Sequence, residues 1–167
     1  MQIVTQRLKI TKFDLSMAEV VHKNSLDEDN RRFMPDEVFE TVEEAKETLE
    51  FLISCYESGK GPQVYPVLLW DGTNIGYVQL VPLKEGYEVG YHIAKKHTGY
   101  GYATEALRGF LAYVKAEKAL DKIYGICDSE NIASKKVLEH CGFVKEYEGM
   151  GRYQGKDKEI ARYSMVL

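Results

Sequence analysis

The fold is decided by one stretch of the chain, Glu88-Val-Gly-Tyr-His-Ile-Ala-Lys-Lys-His-Thr-Gly-Tyr-Gly-Tyr-Ala-Thr-Glu-Ala106. The overlapping segment Tyr87 to Ile93 has the pattern of a strand, and a loop follows with glycines at Gly99 and Gly101. A helical pattern then begins at Ala103. The first amide N–H groups of a helix have no partner within it, and the helix dipole adds positive potential there. The stretch therefore predicts a phosphate-binding site.

A second informative stretch lies about one helix further on, Asn131-Ile-Ala-Ser-Lys-Lys-Val-Leu-Glu-His-Cys-Gly-Phe143. Asn131 is a suitable N-cap for a helix, and Gly142 is a suitable residue to end it. Together the two stretches resemble the GNAT superfamily of acetyl-CoA-dependent N-acetyltransferases, and within it the ribosomal-protein-alanine acetyltransferase-like (RimJ/RimL) group. The resemblance covers nearly the whole chain, since Thr5-Gln-Arg-Leu8 and Ala161-Arg-Tyr-Ser-Met165 also look like that group.

The composition is that of one soluble globular domain, residues 1–167, with 44% hydrophobic and 29% charged residues. The net charge of −4 speaks against a protein that coats nucleic acid. The start of the chain lacks a secretory signal, and no apolar run is long enough for a membrane span, so we expect cytoplasmic residence. The three cysteines and four histidines show no metal-ligand spacing, so no metal is expected.

Periodicity predicts a mixed α/β sheet with helices on its faces, in the order β-α-α-β-β-β-α-β-α-β-β, and the resemblance implies the GNAT fold for that order. Thr41 and Glu44 form a capping box for a helix that stops at Gly59. The charged segment 27–39, which contains Pro35, predicts a loop. The expected strands are Leu8–Ile10, Val64–Trp70, Ile75–Leu80, Tyr87–Ile93, Lys122–Cys127, Phe143–Tyr147 and Ile160–Leu167.

The resemblance implies acetyl-CoA as cosubstrate, with its pyrophosphate held by the backbone amides of the glycine loop. In the family this loop usually begins with Arg or Gln, whereas Thr98 stands there in this chain. That departure keeps the amides but removes one expected side-chain contact. The residues implied in cofactor binding are His92, Ile93, Thr98, Gly99, Tyr100, Gly101, Tyr102, Ala103, Thr104, Asn131 and Ser134.

Glu88 and Ser134 are the two candidates for catalysis. Glu88 matches the family's glutamate on the strand before the glycine loop and is the candidate general base; a plain strand carboxylate is the alternative. His92 shares a strand face with Glu88 and is the next candidate, although a structural histidine is the more common finding. An amide near Ile93 would polarise the thioester carbonyl.

Many GNAT enzymes carry a tyrosine on this helix that protonates the departing thiolate, but this chain has Leu138 at that position. The resemblance to the RimJ/RimL group therefore implies Ser134 as the candidate general acid. A role for Ser134 only in cofactor positioning or capping stays open. Tyr147, Tyr153 and Tyr163 are candidates for lining an acceptor pocket, with packing as the alternative.

The resemblance implies direct transfer of an acetyl group to a primary amine. The acceptor is left open between a peptide N-terminus and a small amine such as an aminoglycoside, a polyamine or an amino acid. The acidic balance favours a cationic acceptor, and a homodimer is left open. The alternative function is a non-catalytic acyl-CoA-binding or regulatory module with the same fold.

Overall fold

The computed structural model describes the whole chain, Met1 to Leu167, as an eight-stranded sheet with five helices. The strands are β1 (Ile3–Val4), β2 (Leu8–Ile10), β3 (Gln63–Leu69), β4 (Asn74–Pro82), β5 (Tyr87–Ile93), β6 (Lys122–Asp128), β7 (Val144–Tyr153) and β8 (Lys156–Val166). The helices are α1 (Ala18–Ser25), α2 (Glu28–Phe33), α3 (Val42–Ser58), α4 (Tyr102–Lys118) and α5 (Ile132–His140). None of these helices has the length and apolar character needed to cross a membrane.

The predicted order of elements is confirmed, with two additions. The two-residue strand β1 is too short to leave a pattern in the sequence. Helix α2 lies inside the segment predicted as a loop, so that prediction was wrong. The Asp27 carboxylate caps α2 by accepting a hydrogen bond from the Asn30 amide at 2.7 Å, and acidic residues in the first turn suit the helix dipole. A capping residue followed by two acids was the signal in the sequence, and it outweighs the nearby Pro35.

Local signals elsewhere set the boundaries as expected. Thr41 Oγ1 accepts from the Glu44 amide at 3.1 Å at the start of α3, which ends at Gly59 with a φ of +67°. The final hairpin is longer than the predicted strands, because β7 and β8 pair as far as the turn at Gln154 and Gly155.

The sheet has a different helical layer on each face. We call the side covered by α4 and α5 the α4 face; here Leu107, Phe110 and Val114 of α4 are fully buried in the larger core. We call the side covered by α1 and α3 the α1 face; here Leu49 and Leu52 of α3 belong to a smaller core. Each such side chain contributes roughly 1.5–3 kcal/mol by leaving water. Both layers hold the sheet between them as a rigid frame.

A gap opens in this frame between β5 and β6. These strands are the only parallel neighbours in the sheet, and they pair only at Glu88 with Tyr124 and at Val89 with Gly125. Beyond that point the rest of β5, residues 90–93, has no strand on its β6 side. Since side chains alternate along a strand, Glu88 and His92 face one side of the sheet, and Val89, Tyr91 and Ile93 face the other.

Candidate acetyl-transfer site

The glycine loop forms a set of free amides at the start of α4. Gly99 and Gly101 have φ values of +86° and +81°, a left-handed conformation that glycine adopts without strain. No side chain caps the helix, and the amides from Gly99 to Thr104 donate to no acceptor within the protein. A β-carbon added at Gly99 would meet no atom within 4 Å, so a ligand has room to approach the backbone. The loop fits a phosphate group.

Arg7, near the start of the chain, braces this loop. Its Nε lies 2.6 Å from Glu105 Oε2, and its Nη1 donates to the Tyr100 carbonyl at 2.8 Å. The guanidinium also lies 4.5 Å from the centre of the Tyr102 ring, a cation–π distance. Thr5 Oγ1 donates to the same glutamate at 2.7 Å. The loop is therefore fixed by the N-terminal segment, a role that the sequence analysis did not assign.

Thr98, the departure from the family pattern, is engaged by its own turn. Its hydroxyl donates to the Lys95 carbonyl at 2.7 Å, and the residue is exposed at the edge of the cleft described next. Lys95 itself is paired with Asp29 at 3.2 Å on the surface. Exposed pairs of this kind contribute little to stability.

A cleft of about 800 Å³ reaches both faces of the sheet at the gap between β5 and β6. On its α4 side it is lined by Asn131, which directly precedes α5, by Ser134 of α5 and by Ala103 of α4. On its α1 side it is lined by Glu88 and His92 of β5. The two candidate catalytic residues thus lie on opposite faces of the sheet and border the same cavity.

Ser134 is held by two neighbours. Asn131 Oδ1 accepts from the Ser134 amide at 3.1 Å, which confirms Asn131 as the N-cap of α5. The Tyr91 hydroxyl donates to the Ser134 carbonyl at 2.9 Å and lies 2.8 Å from Ser134 Oγ. A hydroxyl has a single proton to donate. Because Tyr91 donates its proton to the Ser134 carbonyl, the Tyr91 oxygen accepts a hydrogen bond from the Ser134 hydroxyl. Burial raises the pKa of Tyr91, which keeps its hydroxyl protonated.

Tyr91 was missed by the sequence analysis. The signal was the alternation along β5, which puts Tyr91 on the side of the strand opposite Glu88. What the sequence does not show is that α5 brings Ser134 to that side. The contact joins residues 43 positions apart.

Glu88 lies on the α1 face without a hydrogen-bond partner. Burial, with a smaller contribution from the charge of Glu37, raises the pKa of Glu88 to about 7. Burial likewise raises the pKa of Glu37 to about 7, although Gln79 donates a hydrogen bond to it. A cleft carboxylate that titrates near neutral pH is suited to accept a proton from a reacting group.

His92 faces the same side as Glu88, as expected, but its ring is tied to Asp27. The distance from His92 Nε2 to Asp27 Oδ2 is 3.1 Å, and both side chains are largely buried. Burial opposes ionisation of Asp27, yet hydrogen bonds from His92 and the Asn30 amide outweigh it and lower the Asp27 pKa. Because His92 shares the side of β5 that carries Glu88, it lies on the face of the sheet opposite α4 and the glycine loop that precedes α4.

The amide of Ile93 points into the gap. The next amide along the chain, that of Ala94, donates to Ile75 of β4 at 2.8 Å. Because successive amides alternate between the two sides of a strand, the Ile93 amide faces β6, where no strand pairs with it. It is free to donate to a carbonyl oxygen in the cleft.

Of the three tyrosines considered for an acceptor pocket, only Tyr153 lines the cleft. Its hydroxyl contacts Met34 Sδ at 3.0 Å, and burial raises its pKa. Tyr163 is fully buried and bonds Glu139 at 2.9 Å, whereas Tyr147 is partly exposed and donates to the Met150 carbonyl at 2.6 Å. These two serve packing and local structure.

Comparison with known proteins points to one family. The family model described as an acetyltransferase (GNAT) domain matches residues 7–144. The chain is 30% identical over 149 residues to the uncharacterized N-acetyltransferase YnaD of Bacillus subtilis (strain 168), covering 87% of this chain and 84% of that protein.

Solved structures agree in fold. The structure of a GNAT-family acetyltransferase from Bacillus anthracis superposes with a TM-score of 0.85 at 26% identity, covering 99% of this chain and 98% of that one. The RimL ribosomal-protein alpha-N-acetyltransferase in complex with coenzyme A gives a TM-score of 0.86 at 17% identity, over 100% and 98% of the two chains; this similarity bears on the fold alone. The family match and the N-acetyltransferase relative lead to the same conclusion: the chain belongs to the GNAT family and is an acetyl-CoA-dependent N-acetyltransferase.

Proposed function

We propose that this chain moves the acetyl group of acetyl-CoA directly to a primary amine inside the cleft at the β5–β6 gap, with Glu88 and Ser134 on the two sides of the reaction. The observation that carries the proposal is that these two residues, on opposite faces of the sheet, border one continuous cavity. The amine would bind on the α1 face and the CoA thioester on the α4 face. Most of the rate enhancement would come from holding the two together.

On the α4 face, the amides from Gly99 to Thr104 would hold the pyrophosphate, and Asn131 would lie along the cofactor. The loop fits this role because its amides have no protein acceptor. When bound, acetyl-CoA supplies an acyl group activated as a thioester. The Ile93 amide would donate to the carbonyl oxygen, where negative charge develops during attack.

On the α1 face, Glu88 would take the proton from the acceptor nitrogen. Its pKa of about 7 supports this role, since near neutral pH a large fraction is ionised and able to accept a proton. His92 is less suited, because its Nε2 is engaged with Asp27.

Ser134 would turn its hydroxyl proton from the Tyr91 oxygen to the departing thiolate sulfur, and its oxygen would then regain a proton from solvent. Tyr91 would act as a positioning residue, because its hydroxyl contacts both the carbonyl and Oγ of Ser134 and so fixes the side chain. In many family members a tyrosine on the helix that corresponds to α5 supplies the proton. In this chain Ser134 of α5 would supply it, and Tyr91 of β5 would orient Ser134.

The direct test is release of free thiol from acetyl-CoA, measured with a panel of primary amines. The panel contains peptides with different N-terminal residues, polyamines and aminoglycosides, and the acetylated product is identified by mass spectrometry. Amine-dependent thiol release is expected. If acetyl-CoA raises the melting temperature but no amine is acetylated, the chain is an acyl-CoA-binding module and the proposal is wrong.

A further inference from the structure

A second cavity, of about 260 Å³, adjoins the acetyl-transfer cleft on the α1 face. The two cavities share Glu37, Gln79 and His92 in their walls. The far wall is apolar and includes Leu49 and Leu52 of α3. A molecule whose reacting amine lies beside Glu88 can therefore extend past Glu37 into a partly apolar chamber.

The buried polar atoms of the protein that lack a hydrogen-bond partner are concentrated in this second cavity. They are Asn30 Oδ1, Glu37 Oε2, Asn74 Nδ2 and Tyr77 OH, and His97 Nε2 is the only other such atom in the chain. Asn30 is only 2% exposed and Asn74 only 7%. Buried polar groups are nearly always satisfied, because leaving one without a partner is costly. Their clustering in one cavity makes it a suitable place for a polar ligand.

The free carboxylate oxygen of Glu37 favours a ligand that carries positive charge there. Gln79 Nε2 donates to Glu37 Oε1 at 3.2 Å, which leaves Oε2 free. Asn30 Oδ1 is a second free acceptor on a residue that lines the same cavity, and its amide is held in place because Asn30 Nδ2 donates to the carbonyls of Ser25 at 2.9 Å and Glu37 at 3.2 Å. Two free acceptors in one cavity, one of them a carboxylate, suit an ammonium group, which offers three N–H donors.

No cation of the protein fills this role. The basic side chains in the walls of the acetyl-transfer cleft each contact a different carboxylate: Arg32 contacts Glu130 at 2.5 Å, Lys95 contacts Asp29 at 3.2 Å, Arg152 contacts Asp157 at 3.3 Å and His92 contacts Asp27 at 3.1 Å. Glu37 and Glu88 are thus two largely buried carboxylates that form no ion pair within the protein. A buried charge of this kind is stabilised by pairing with a charge from a ligand.

We propose that the acceptor is a diamine, whose second ammonium group binds between Glu37 Oε2 and Asn30 Oδ1 while the first amine is acetylated beside Glu88. This inference rests on the proposed function and specifies its substrate class. Asn74 Nδ2 and Tyr77 OH, the donors deeper in the chamber, would bind a hydroxyl or carbonyl oxygen on the same molecule. The apolar wall would contact its methylene groups.

The test compares diamines with monoamines of the same carbon number, 1,4-diaminobutane against n-butylamine first, and then the pairs with three and five carbons. The wild-type kcat/KM is expected to favour the diamine of the best-fitting pair by about 10- to 100-fold, the usual range for a hydrogen-bonded charge. Glu37→Gln should bring that ratio close to one, mainly through a higher KM for the diamine. Glu50→Gln, which removes an exposed carboxylate of α3 with the same change in net charge, is the control and should keep the ratio.

Equal kcat/KM for diamines and monoamines in the wild type overturns the inference without any variant, and thiol release with either amine would leave the proposed function standing. The inference also fails if the preference survives Glu37→Gln, or if Glu50→Gln reduces it equally, because the effect would then be general electrostatic attraction. Water alone would then complete the hydrogen bonds of the unpartnered polar atoms in the second cavity. Absence of acetylation with every amine would overturn the proposed function together with the inference.

Discussion

Replacing Glu88 with glutamine tests the chemistry most directly. Glutamine keeps the size of the side chain but cannot accept a proton. If Glu88 is the general base, the loss in kcat/KM near pH 7 is expected to be about 100-fold, within the usual range for this kind of catalysis. Glu85→Gln, an exposed carboxylate in the turn before β5, is the matched control and should behave like the wild type.

The raised pKa of Glu88 also fixes the shape of the pH dependence. With a pKa of about 7, the carboxylate is about 10% ionised at pH 6 and about 90% ionised at pH 8, a tenfold rise in the reactive form. Deprotonation of the free amine raises the rate of both proteins as pH increases, so the ratio of wild-type to variant kcat/KM isolates Glu88. That ratio should rise about tenfold from pH 6 to pH 8 and shrink near the pKa of the amine, at roughly pH 10.

The assay is thiol release at saturating acetyl-CoA over pH 5.5 to about 10, with folding of each variant checked by circular dichroism. A Glu88→Gln protein with the wild-type rate and the wild-type profile would refute the assignment. The amine would then bind already neutral, or another group would take the proton.

Three further outcomes follow from the site and from its charges. Ser134→Ala should lower kcat by about 10- to 100-fold with little change in the KM for acetyl-CoA, and loss of affinity at unchanged kcat would make Ser134 a positioning residue only. Gly101→Asp should abolish the rise in melting temperature that acetyl-CoA causes, by setting a carboxylate against the pyrophosphate; a full shift in the folded variant would contradict the phosphate site. Burial raises the pKa of Glu37 in the folded state to about 7, from an ordinary value of 4.5. The folded state therefore binds more protons than the unfolded state between these two pH values, and stability falls as pH rises through that window. Glu37→Gln should therefore be more stable than the wild type at pH 8, by at most about 3 kcal/mol, and lose that advantage near pH 4; urea unfolding curves that differ equally at both pH values would contradict this.

The parts of the fold set by neighbouring residues could be predicted from the sequence. The glycine loop before α4 and the Asn131 cap of α5 each depend on a few consecutive positions, and the structure has both. Helix α2 was missed although its cap at Asp27 is equally local, because the charged composition and Pro35 favoured a loop.

The parts of the site that depend on tertiary contacts could not be predicted in this way. Glu37 and Glu88 are far apart in the sequence, and only the packing of α2 and the following turn over the α1 face brings them into one cleft. The contact of Tyr91 with Ser134 depends on the position of α5 relative to β5. The expected alternation along β5 held, but what lies opposite each face is decided by elements elsewhere in the chain.

Because the cleft passes through the sheet, the residues that would bind the acceptor and those that would bind acetyl-CoA can be changed separately. The residues around Glu37 that would select the acceptor lie on one face, and the loop at Gly99 and Gly101 that would hold the donor lies on the other. Reshaping the second cavity, for example at Leu52, would alter which amine is modified while the loop and its Arg7 brace stay intact. New acceptor specificities can therefore be sought by mutating the helical layer on the α1 face, while the loop that would hold the pyrophosphate of acetyl-CoA stays unchanged.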